Sequence, residues 1–562
     1  MSLDSQNQKA KTAKMQDLRD QEQEELAEIL SKRYNLPYSD LSKVSINTDA
    51  LRFIPEAEAR QAQMASFKIF GKKLSVAILT PNNNKAKEII KDLENKGWNL
   101  QIYLVSENSL KKAWSYYQEL SKSKKSEAGL IKISNERIER YLKEIKTVNQ
   151  IKEEIKKIEK QKEDNISSIL EIILAGALST GASDIHLEPQ ENNLRLRYRL
   201  DGVLQDIYKI NSKYYWPIAA RIKLISGMKI NIKLTAQDGR FSIKAGEDEI
   251  EIRSSIVPSA YGESVVMRVL NPKSIQVTFE TLGVEEHLFK VFEREIKKPN
   301  GLILLTGPTG SGKTTTLYSF LRQVNSPENK IITIEDPIEY HLEGINQTQV
   351  NRKKGYDFLS GLRAALRQDP DIIMVGEIRD SETAKIAINS ALTGHLVFST
   401  LHTNNCFGAI PRLIDLEVNP KVMTSSLTLS IAQRLVRRLC VNCRQKESPK
   451  EWEKDLINKV KESVARKRKD IVLEDKMEVY RPVGCDKCNN TGYKGRQGIF
   501  EAVVMDEAVA KKTIENPSEK ELKKVAEPQG ILDMREDGVI KVLNGLTSME
   551  DLARVVDLLE DF

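Results

Sequence analysis

Apolar residues are spaced differently in different parts of the chain, and each spacing predicts a kind of element. Short, mostly apolar runs at 302–305, 331–334, 372–375 and 396–399 alternate with helical patterns, as in a parallel sheet with helices on both faces. Residues 194–200 alternate between apolar and basic, which predicts a strand whose arginines share one face. The pattern indicates an α/β protein.

At about 150 residues per domain, a chain of 562 residues suggests three or four domains, and the residue pattern divides it into five regions. They are a disordered N-terminus at 1–22, a small α/β domain at 23–118, a charged helical linker at 119–165, a second domain at 166–272 and a third region at 273–562. The second domain is expected to have a mixed sheet with one or two helices. After about residue 418 the third region is expected to be mainly helical, with a cysteine-bearing insertion at about 440–488.

The linker at 119–165 combines many Lys and Glu residues with apolar residues at steps of three and four. The apolar members are Ile138, Tyr141, Ile145, Val148, Ile151, Ile155 and Ile158. The high charge favours a solvated helical linker, and a short coiled coil or a partner helix is the alternative.

Composition narrows the class of protein. The 87 Lys and Arg against 80 Asp and Glu give a net charge of +7, and such mixed charge favours a soluble surface over a dedicated nucleic-acid binder. No apolar run approaches the length of about 20 residues that spans a bilayer. The N-terminus is polar and has no signal-peptide core. We therefore expect a cytoplasmic protein.

The stretch Gly307–Thr314 fits the phosphate-loop pattern G-x-x-x-x-G-K-[ST] at every fixed position. It follows an apolar strand and precedes a helix, so that its backbone N–H groups can converge on a polyphosphate at a helix N-terminus. Lys313 can bridge phosphate oxygens, and the Thr314 hydroxyl can hold Mg²⁺. The expected nucleotide-binding residues are Gly307, Pro308, Thr309, Gly310, Ser311, Gly312, Lys313, Thr314 and Thr315.

Three further segments follow predicted strands of the same sheet. Glu377 ends an apolar strand, where a carboxylate can polarise the water that attacks a γ-phosphate. Glu335, Asp336 and Glu339 form an acidic stretch whose oxygens could coordinate Mg²⁺ through water. His402 follows the last core strand and could sense the γ-phosphate or link neighbouring subunits. Taken alone, each acid could equally lie on a surface loop, and the histidine could be structural.

Four of the five cysteines form two C-x-x-C pairs, Cys440 with Cys443 and Cys485 with Cys488. The pairs are separated by 41 residues, more than the about 15 to 20 residues of a typical zinc ribbon, but a longer loop adds little closure entropy. Four thiolates favour a tetrahedral Zn²⁺ with no open coordination position, and hence a structural site. Cys406 is expected to be simply buried.

With these motifs the chain resembles the motor ATPases of the secretion superfamily, in the branch of type IV pilus assembly (PilB-like) and type II secretion (GspE-like) ATPases. The resemblance runs from about Glu24 to the C-terminus. It is most specific in eight segments, which are Gly181–Pro189, Gln237–Arg240, Tyr261–Ser264, Gly307–Thr314, Ile334–Glu339, Val375–Asp380, Ser399–Thr403 and Ala432–Cys440. In that family the fourth to seventh of these are the Walker A motif, the Asp box, the Walker B motif and the His box.

The resemblance implies a RecA-like P-loop ATPase domain, preceded by a PAS-like α/β second domain and a small N-terminal α/β domain like that of type II secretion ATPases. It implies that Glu377 is the general base and that Glu339 lies near Mg²⁺. In the family, arginines of the second domain reach a nucleotide. Arg240, Arg253 and Arg268 lie in matching segments, and Arg253 and Arg268 are favoured.

The family forms hexameric rings beneath the inner membrane that drive pilin polymerisation through a membrane platform protein. The resemblance therefore implies ATP, Mg²⁺ and Zn²⁺ as ligands, and a homo-hexamer held by partners at the cytoplasmic face of the inner membrane. Three functions stay open: an ATPase for pilus or pseudopilus assembly, a DNA-uptake or DNA-translocation motor, and a non-hydrolysing scaffold. The weak charge and 6% aromatic content count against a DNA motor, and the presence of Lys313 and Glu377 counts against a scaffold.

Overall fold

The computed structural model describes residues 22–42, 44, 46, 48–51, 53–70, 73–95, 97–117, 135–160, 166–246, 248–271, 277–473 and 477–558. The chain divides into two compact units, Met1–Lys132 and Ile133–Phe562. The predicted disorder at 1–22 lies outside the described residues except at residue 22, which is helical. None of the described helices combines the length and the apolar character needed to cross a bilayer.

The first unit contains a three-stranded sheet in the order β1-β2-β3, covered by helices. Its helices are α1 (22–34), α2 (Thr48–Leu51), α3 (Glu56–Gln61), α4 (Asn84–Asn95) and α5 (107–117), and its strands are β1 (Met64–Phe70), β2 (Lys73–Ile78) and β3 (Asn99–Leu104). Strand β2 is antiparallel to β1 and parallel to β3. Because β2 is central, its residues 74–78 are buried on both faces.

The second unit begins with an antiparallel sheet backed by four helices. The helices are α6 (Asn135–Glu144), α7 (Val148–Lys160), α8 (Ile166–Thr180) and α9 (Tyr215–Ile225), and the strands are β4 (Asp184–Pro189), β5 (Asn193–Leu200), β6 (Val203–Asn211), β7 (Gln237–Ala245), β8 (Asp248–Ser259) and β9 (Gly262–Leu270). The strand order is β6-β5-β4-β9-β8-β7, and each neighbouring pair is antiparallel. The expected mixed sheet is therefore wrong, because short turns such as Asp201–Gly202 join most consecutive strands.

Helices α6 and α7 lie in the predicted linker, but they are part of the core of this domain. They pack against α8, and Ile138, Ile145, Ile151 and Ile155 are fully buried in the cluster that also contains residues of β4 and β5. The expected solvated linker is thus wrong for 135–160. Lys and Glu residues cover one face of each helix while a narrow apolar face completes the core. The rest of that region, 119–134 and 161–165, lies outside the described residues.

The remainder of the unit is an α/β domain built on a seven-stranded sheet. Its helices are α10 (Glu286–Ile296), α11 (Lys313–Val324), α12 (Phe358–Ala365), α13 (Ser381–Leu392), α14 (Ala409–Asp415), α15 (Pro420–Ser426), α16 (Glu451–Lys467), α17 (Glu507–Ile514), α18 (Glu519–Ala526), α19 (Met534–Leu543) and α20 (Met549–Leu552). Its strands are β10 (Gly301–Thr306), β11 (Ile331–Glu335), β12 (Asn346–Gln349), β13 (Ile372–Val375), β14 (Leu396–Leu401), β15 (Leu427–Leu439), β16 (Gln445–Glu447), β17 (Val479–Arg481) and β18 (Tyr493–Val504).

The sheet has the order β12-β11-β13-β14-β10-β15-β18 and is parallel except for β18. Alternate residues of β10 enter different cores: Leu302 and Leu304 lie in one cluster, Ile303 and Leu305 in another. The predicted sheet with helices on both faces is confirmed. After residue 418 the structure contains more helix than strand, as expected, but the expectation misses two long strands, the 13-residue β15 and the 12-residue β18, which pair with each other. The Leu, Arg and Gln residues of β15 favour helix intrinsically, but pairing on both sides overrides that preference.

Candidate active site and metal centre

The phosphate loop joins the end of β10 to the start of α11, and its shape requires glycine. Gly307, Gly310 and Gly312 have φ values of 141°, 81° and 93°, which other residues rarely adopt. A Cβ on Gly307 would stand 2.7 Å from the Gln433 carbonyl oxygen, and one on Gly312 would stand 2.7 Å from Gln433 Nε2. The loop is therefore a tight backbone cradle, and such a cradle can direct N–H groups at an anion.

The side chains of the loop fit a polyphosphate. Lys313 Nζ donates to the carbonyl oxygens of Gly307 at 2.6 Å and Pro308 at 3.1 Å. Burial lowers the pKa of Lys313, the Glu377 carboxylate opposes that effect, and the Arg434 cation adds to it. Ser311 Oγ is buried and lacks a hydrogen-bond partner among the described residues. Thr314 is exposed at the start of α11, where its hydroxyl can hold Mg²⁺.

Glu377 and His402, which the sequence predicts at neighbouring strand ends, lie together. Strands β13 and β14 are parallel neighbours, with Val375 opposite Ser399. The Glu377 carboxylate is ion-paired with Arg379, and its Oε2 is 3.5 Å from His402 Nε2. Glu377 is only 16% exposed. The structure thus places a partly buried carboxylate between a guanidinium and an imidazole, and the catalytic roles of these residues stay predictions.

Glu335, one of the acids considered for Mg²⁺, belongs to a buried network instead. Its carboxylate accepts hydrogen bonds from the Tyr318 hydroxyl, from Thr333 Oγ1 at 2.6 Å and from Gln347 Nε2 at 3.1 Å. Burial raises the pKa of Glu335. Because Tyr318 is on α11 and Gln347 is on β12, this network ties the phosphate-loop helix to the edge of the sheet.

The three predicted arginines form one row across the second domain. Arg240 is directly opposite Arg253 in the pairing of β7 with β8, and Arg253 is directly opposite Arg268 in the pairing of β8 with β9. Opposite residues in neighbouring strands share a face of the sheet. Arg268 Nε is 3.1 Å from Asp184 Oδ1 at the end of the row, and Arg240 is exposed.

Arg253, in the middle of the row, reaches the Asp-box segment of the ATPase domain. Its NH2 donates to the Ile338 carbonyl oxygen at 2.8 Å, and its NH1 is 3.6 Å from Glu339 Oε2. Its Nε also donates to Glu251 Oε1 at 3.0 Å. Of the three arginines, Arg253 is therefore the one in contact with a predicted site residue.

Two residues beside the phosphate loop carry no predicted role. Ala432 is opposite Thr306 in the parallel pairing of β15 with β10, so that Gln433 and Arg434 lie alongside the loop. Gln433 Oε1 accepts a hydrogen bond from Thr316 Oγ1 at 2.8 Å. The only signal in the sequence is their position within the family-like segment Ala432–Cys440. Their placement depends on the β15 pairing, which the residue pattern did not predict.

The four paired cysteines come together as predicted. Their Sγ atoms all lie within 4.8 Å of one another, and the distances Cys440–Cys485, Cys443–Cys488 and Cys485–Cys488 are 3.9, 3.8 and 3.8 Å. A tetrahedral ion with Zn–S bonds of about 2.3 Å would set its sulfurs about 3.8 Å apart. The backbone N–H groups of Cys485 and Gly492 point at Cys488 Sγ. The cluster therefore fits a tetrahedral Zn²⁺, and Cys406 is buried elsewhere.

The cysteine cluster also contacts the second domain. Asn489, which follows Cys488 with φ of 52°, accepts a hydrogen bond from Val148 N at 3.2 Å. Val148 is the first residue of α7, whose N–H has no partner within the helix. The loop at the second cysteine pair thus supplies an acceptor to a helix of the neighbouring domain.

Known proteins are similar to this chain over most of its length. The chain matches the family described as "Type II/IV secretion system protein" over residues 159–554 and the "MshEN domain" over residues 34–124. It is 45% identical over 390 residues to "Type II secretion system protein E" of Aeromonas hydrophila, covering 69% of this chain and 75% of that protein. It is 36% identical over 537 residues to "Type IV pilus assembly ATPase PilB" of Myxococcus xanthus, covering 94% of this chain and 91% of that protein.

Among solved structures, the ATPase DotB of Yersinia pseudotuberculosis is similar with a TM-score of 0.50 over 70% of this chain and 94% of DotB. At 18% identity this likeness concerns the fold alone, and it agrees with the RecA-like sheet order. The family match extends over most of the chain and includes the phosphate loop, Glu377 and the cysteine cluster. The chain therefore belongs to the Type II/IV secretion system protein family and is a RecA-like motor ATPase of that family.

Proposed function

We propose that the chain powers type IV pilus assembly, hydrolysing ATP as a ring of six copies at the cytoplasmic face of the inner membrane. The contact between Arg253 and the Asp-box segment is the main support for this proposal, because it joins the second domain to the nucleotide site. Nucleotide state can then change the position of one domain relative to the other, which is what a motor requires. Pilus use is favoured because the similarity to the pilus assembly ATPase PilB of Myxococcus xanthus extends over 94% of this chain.

Type II secretion is the second candidate. The type II secretion protein of Aeromonas hydrophila is the more similar over the region it covers, at 45% identity against 36%. That similarity covers only 69% of this chain. Both candidates use the same hydrolytic site, so they differ in partners and not in chemistry.

The phosphate loop and Lys313 hold the phosphates of ATP, and Glu377 orients the attacking water. In hydrolysis the water oxygen bonds to the γ-phosphorus, the bond from that phosphorus to the β–γ bridging oxygen breaks, and ADP and phosphate result. Glu377 accepts the proton of the water, while His402 holds its carboxylate in place. Thr314 and Glu339 would hold Mg²⁺, which neutralises phosphate charge when bound.

The row of arginines supplies positive charge from a second domain. Like charges directly opposite each other on neighbouring strands repel, at a cost of about 0.2 to 1 kcal/mol per pair. The carboxylates of Glu251, Glu339 and Asp184 offset part of that repulsion, and a phosphate anion would offset more. Arg253 and Arg268 are the residues proposed to sense the γ-phosphate, with Arg240 in support. Where such an arginine reaches the γ-phosphate of a neighbouring copy across an interface, hydrolysis requires the ring.

Zn²⁺ is the proposed ion of the cluster formed by Cys440, Cys443, Cys485 and Cys488. Four thiolates leave no open position for a substrate, so the ion would stabilise the fold and take no part in hydrolysis. Its second effect would be to hold Asn489 where Val148 N donates to it.

The proposed partner is an inner-membrane platform protein of the pilus machine, through which the chain would associate peripherally with the membrane. Nucleic acid is not proposed as a partner. Deleting the gene in its own organism should abolish surface pili, and the Glu377→Gln chain should fail to restore them. Normal pili together with exoproteins retained inside the cell would favour the type II secretion candidate and overturn pilus assembly.

A further inference from the structure

Arg434 lies beside the phosphate loop although it is 121 residues after Lys313. Strand β15 runs parallel to β10 with Ala432 opposite Thr306, so that Arg434, two residues further along β15, lies next to Gly307. Its NH1 is 3.0 Å from the position that a Cβ on Gly307 would take. The same guanidinium lowers the pKa of Lys313, because the two cations are close neighbours. The loop is thus lined by two positive side chains.

The partners of Arg434 are neutral. NH1 donates to the Gln433 carbonyl oxygen at 3.1 Å, and NH2 donates to the Asn404 carbonyl oxygen at 2.7 Å. Within the described part of the chain, Arg434 forms no ion pair with a carboxylate. Burial lowers the pKa of Arg434, and the charge of Glu501 opposes that effect. A half-buried guanidinium without an anionic partner is costly to keep in a folded protein.

Some N–H donors of Arg434 remain available to a ligand. A guanidinium has about five N–H donors in a rigid fork, and the two carbonyl contacts occupy two of them. The fork matches phosphate oxygens and binds them through charge-assisted hydrogen bonds. Lys313 has the same pattern, since its two partners are also backbone carbonyl oxygens. An anion bound in the loop would satisfy both cations.

We propose that Arg434 is a further nucleotide-binding residue, which binds the phosphate chain that ATP and ADP share. The inference rests on ATP binding at the phosphate loop. Its contact with Asn404 also joins the phosphate to the segment that begins at His402. The same guanidinium therefore binds the ligand and holds the backbone of the His-box loop beside it.

The test compares the affinities of Arg434→Gln for ATP, ADP and AMP, measured by displacement of a fluorescent ATP analogue from the full chain. Loss of a charge-assisted phosphate contact should lower the affinities for ATP and ADP by about 10- to 100-fold and leave the affinity for AMP unchanged. Arg438→Gln is the matched control, because Arg438 is on the same strand and is exposed. It should bind all three nucleotides like the wild type. An ADP affinity of Arg434→Gln equal to that of the wild type would overturn the proposal.

A purely structural role predicts different results. If Arg434 only anchors the Asn404 backbone, Arg434→Gln should unfold at a lower temperature without nucleotide and should lose affinity for AMP as well. We expect instead an unchanged unfolding temperature without nucleotide and a smaller rise on adding ADP. Arg434→Lys, which keeps the charge but not the fork, provides a second variant and should fall between the wild type and Arg434→Gln.

Lys313→Ala separates this inference from the proposed function. If it too binds ATP and ADP normally, the nucleotide site lies elsewhere and both fail. If Lys313→Ala loses affinity while Arg434→Gln does not, only the role of Arg434 fails.

Discussion

Positive side chains have different kinds of partner in two regions of the ATPase domain. In the C-terminal part, each of three buried cations contacts a carboxylate: Lys467 with Glu536 at 2.8 Å, Arg481 with Glu453 at 2.6 Å and Lys541 with Asp537 at 2.6 Å. At the phosphate loop, Lys313 and Arg434 donate to backbone carbonyl oxygens. The three C-terminal cations thus each have a carboxylate partner within the chain, whereas Lys313 and Arg434 form no ion pair with any described residue.

The second domain extends this comparison. On its charged face, Arg195 pairs with Asp206, whereas Arg253 lies between two arginines and reaches Ile338 and Glu339 of the next domain. A row of like charges is stable only with a counter-charge nearby. Arg253 thus differs from Arg195 in that its carboxylate partners include Glu339 of the ATPase domain as well as Glu251 of its own strand.

The largest effect is expected from removing arginines of the row. Arg253→Ala and Arg268→Ala should lower turnover by about 10³- to 10⁵-fold, as loss of an arginine finger does, with the fold preserved. Ring assembly should also become less sensitive to a non-hydrolysable ATP analogue, as measured by light scattering. Arg195→Ala is the control on the same sheet and should keep normal turnover. Near wild-type kcat in both variants would remove the row from the mechanism.

The next effect concerns Glu377. Glu377→Gln keeps the size of the side chain but cannot accept a proton, and general-base catalysis contributes about 10²- to 10⁴-fold. Turnover should fall by that amount while ATP affinity stays close to that of the wild type. Steady-state hydrolysis and equilibrium binding on the same preparation measure both. Full turnover would assign the base to another residue.

A structural cation should behave in the opposite way. Arg481→Gln leaves the fully buried Glu453 without its charge partner, and breaking a buried pair costs about 3 to 5 kcal/mol. Its free energy of unfolding in urea should fall by that amount, with ATP affinity unchanged in the folded fraction. An unfolding free energy equal to that of the wild type would break the comparison between the two regions.

Metal removal should have a smaller and more local effect. Metal analysis should find about one Zn²⁺ per chain, and Cys440→Ser should lose it and unfold at a lower temperature. Amide exchange at Val148 should quicken, because Asn489 is held by the cluster. Cys406→Ser, outside the cluster, should keep its zinc. If the protein contained no metal and were equally stable, the cluster would not hold a structural ion.

Much of the site could be predicted because its motifs are local. Spacing and residue type identify three of these motifs, which are the loop at Gly307–Thr314, Glu377 at a strand end and the two cysteine pairs. The parallel sheet then brings neighbouring strand ends together, which is why His402 lies beside Glu377. Motifs whose residues lie close together in the sequence could therefore be located without the structure.

What could not be predicted depends on pairing between distant segments. Arg434 reaches the loop only because β15 pairs with β10. That strand could not be predicted, because its residues favour helix. Ile138 and Ile155 lie in the core although Lys and Glu surround them in sequence, because charge on one face of a helix does not prevent burial of the other. Arg268 has Asp184 as a partner, a contact set by strand register and not by any motif.

The most direct test of the central claim measures ATP affinity and unfolding free energy for Lys313→Ala beside Arg481→Gln. Lys313 forms no ion pair with any residue that the structure describes, so its removal should weaken ATP binding by about 100-fold or more and leave stability without nucleotide unchanged or raised. Arg481→Gln should lose stability and keep its ATP affinity. If Lys313→Ala loses stability like Arg481→Gln and still binds ATP normally, unpaired cations do not mark the nucleotide site.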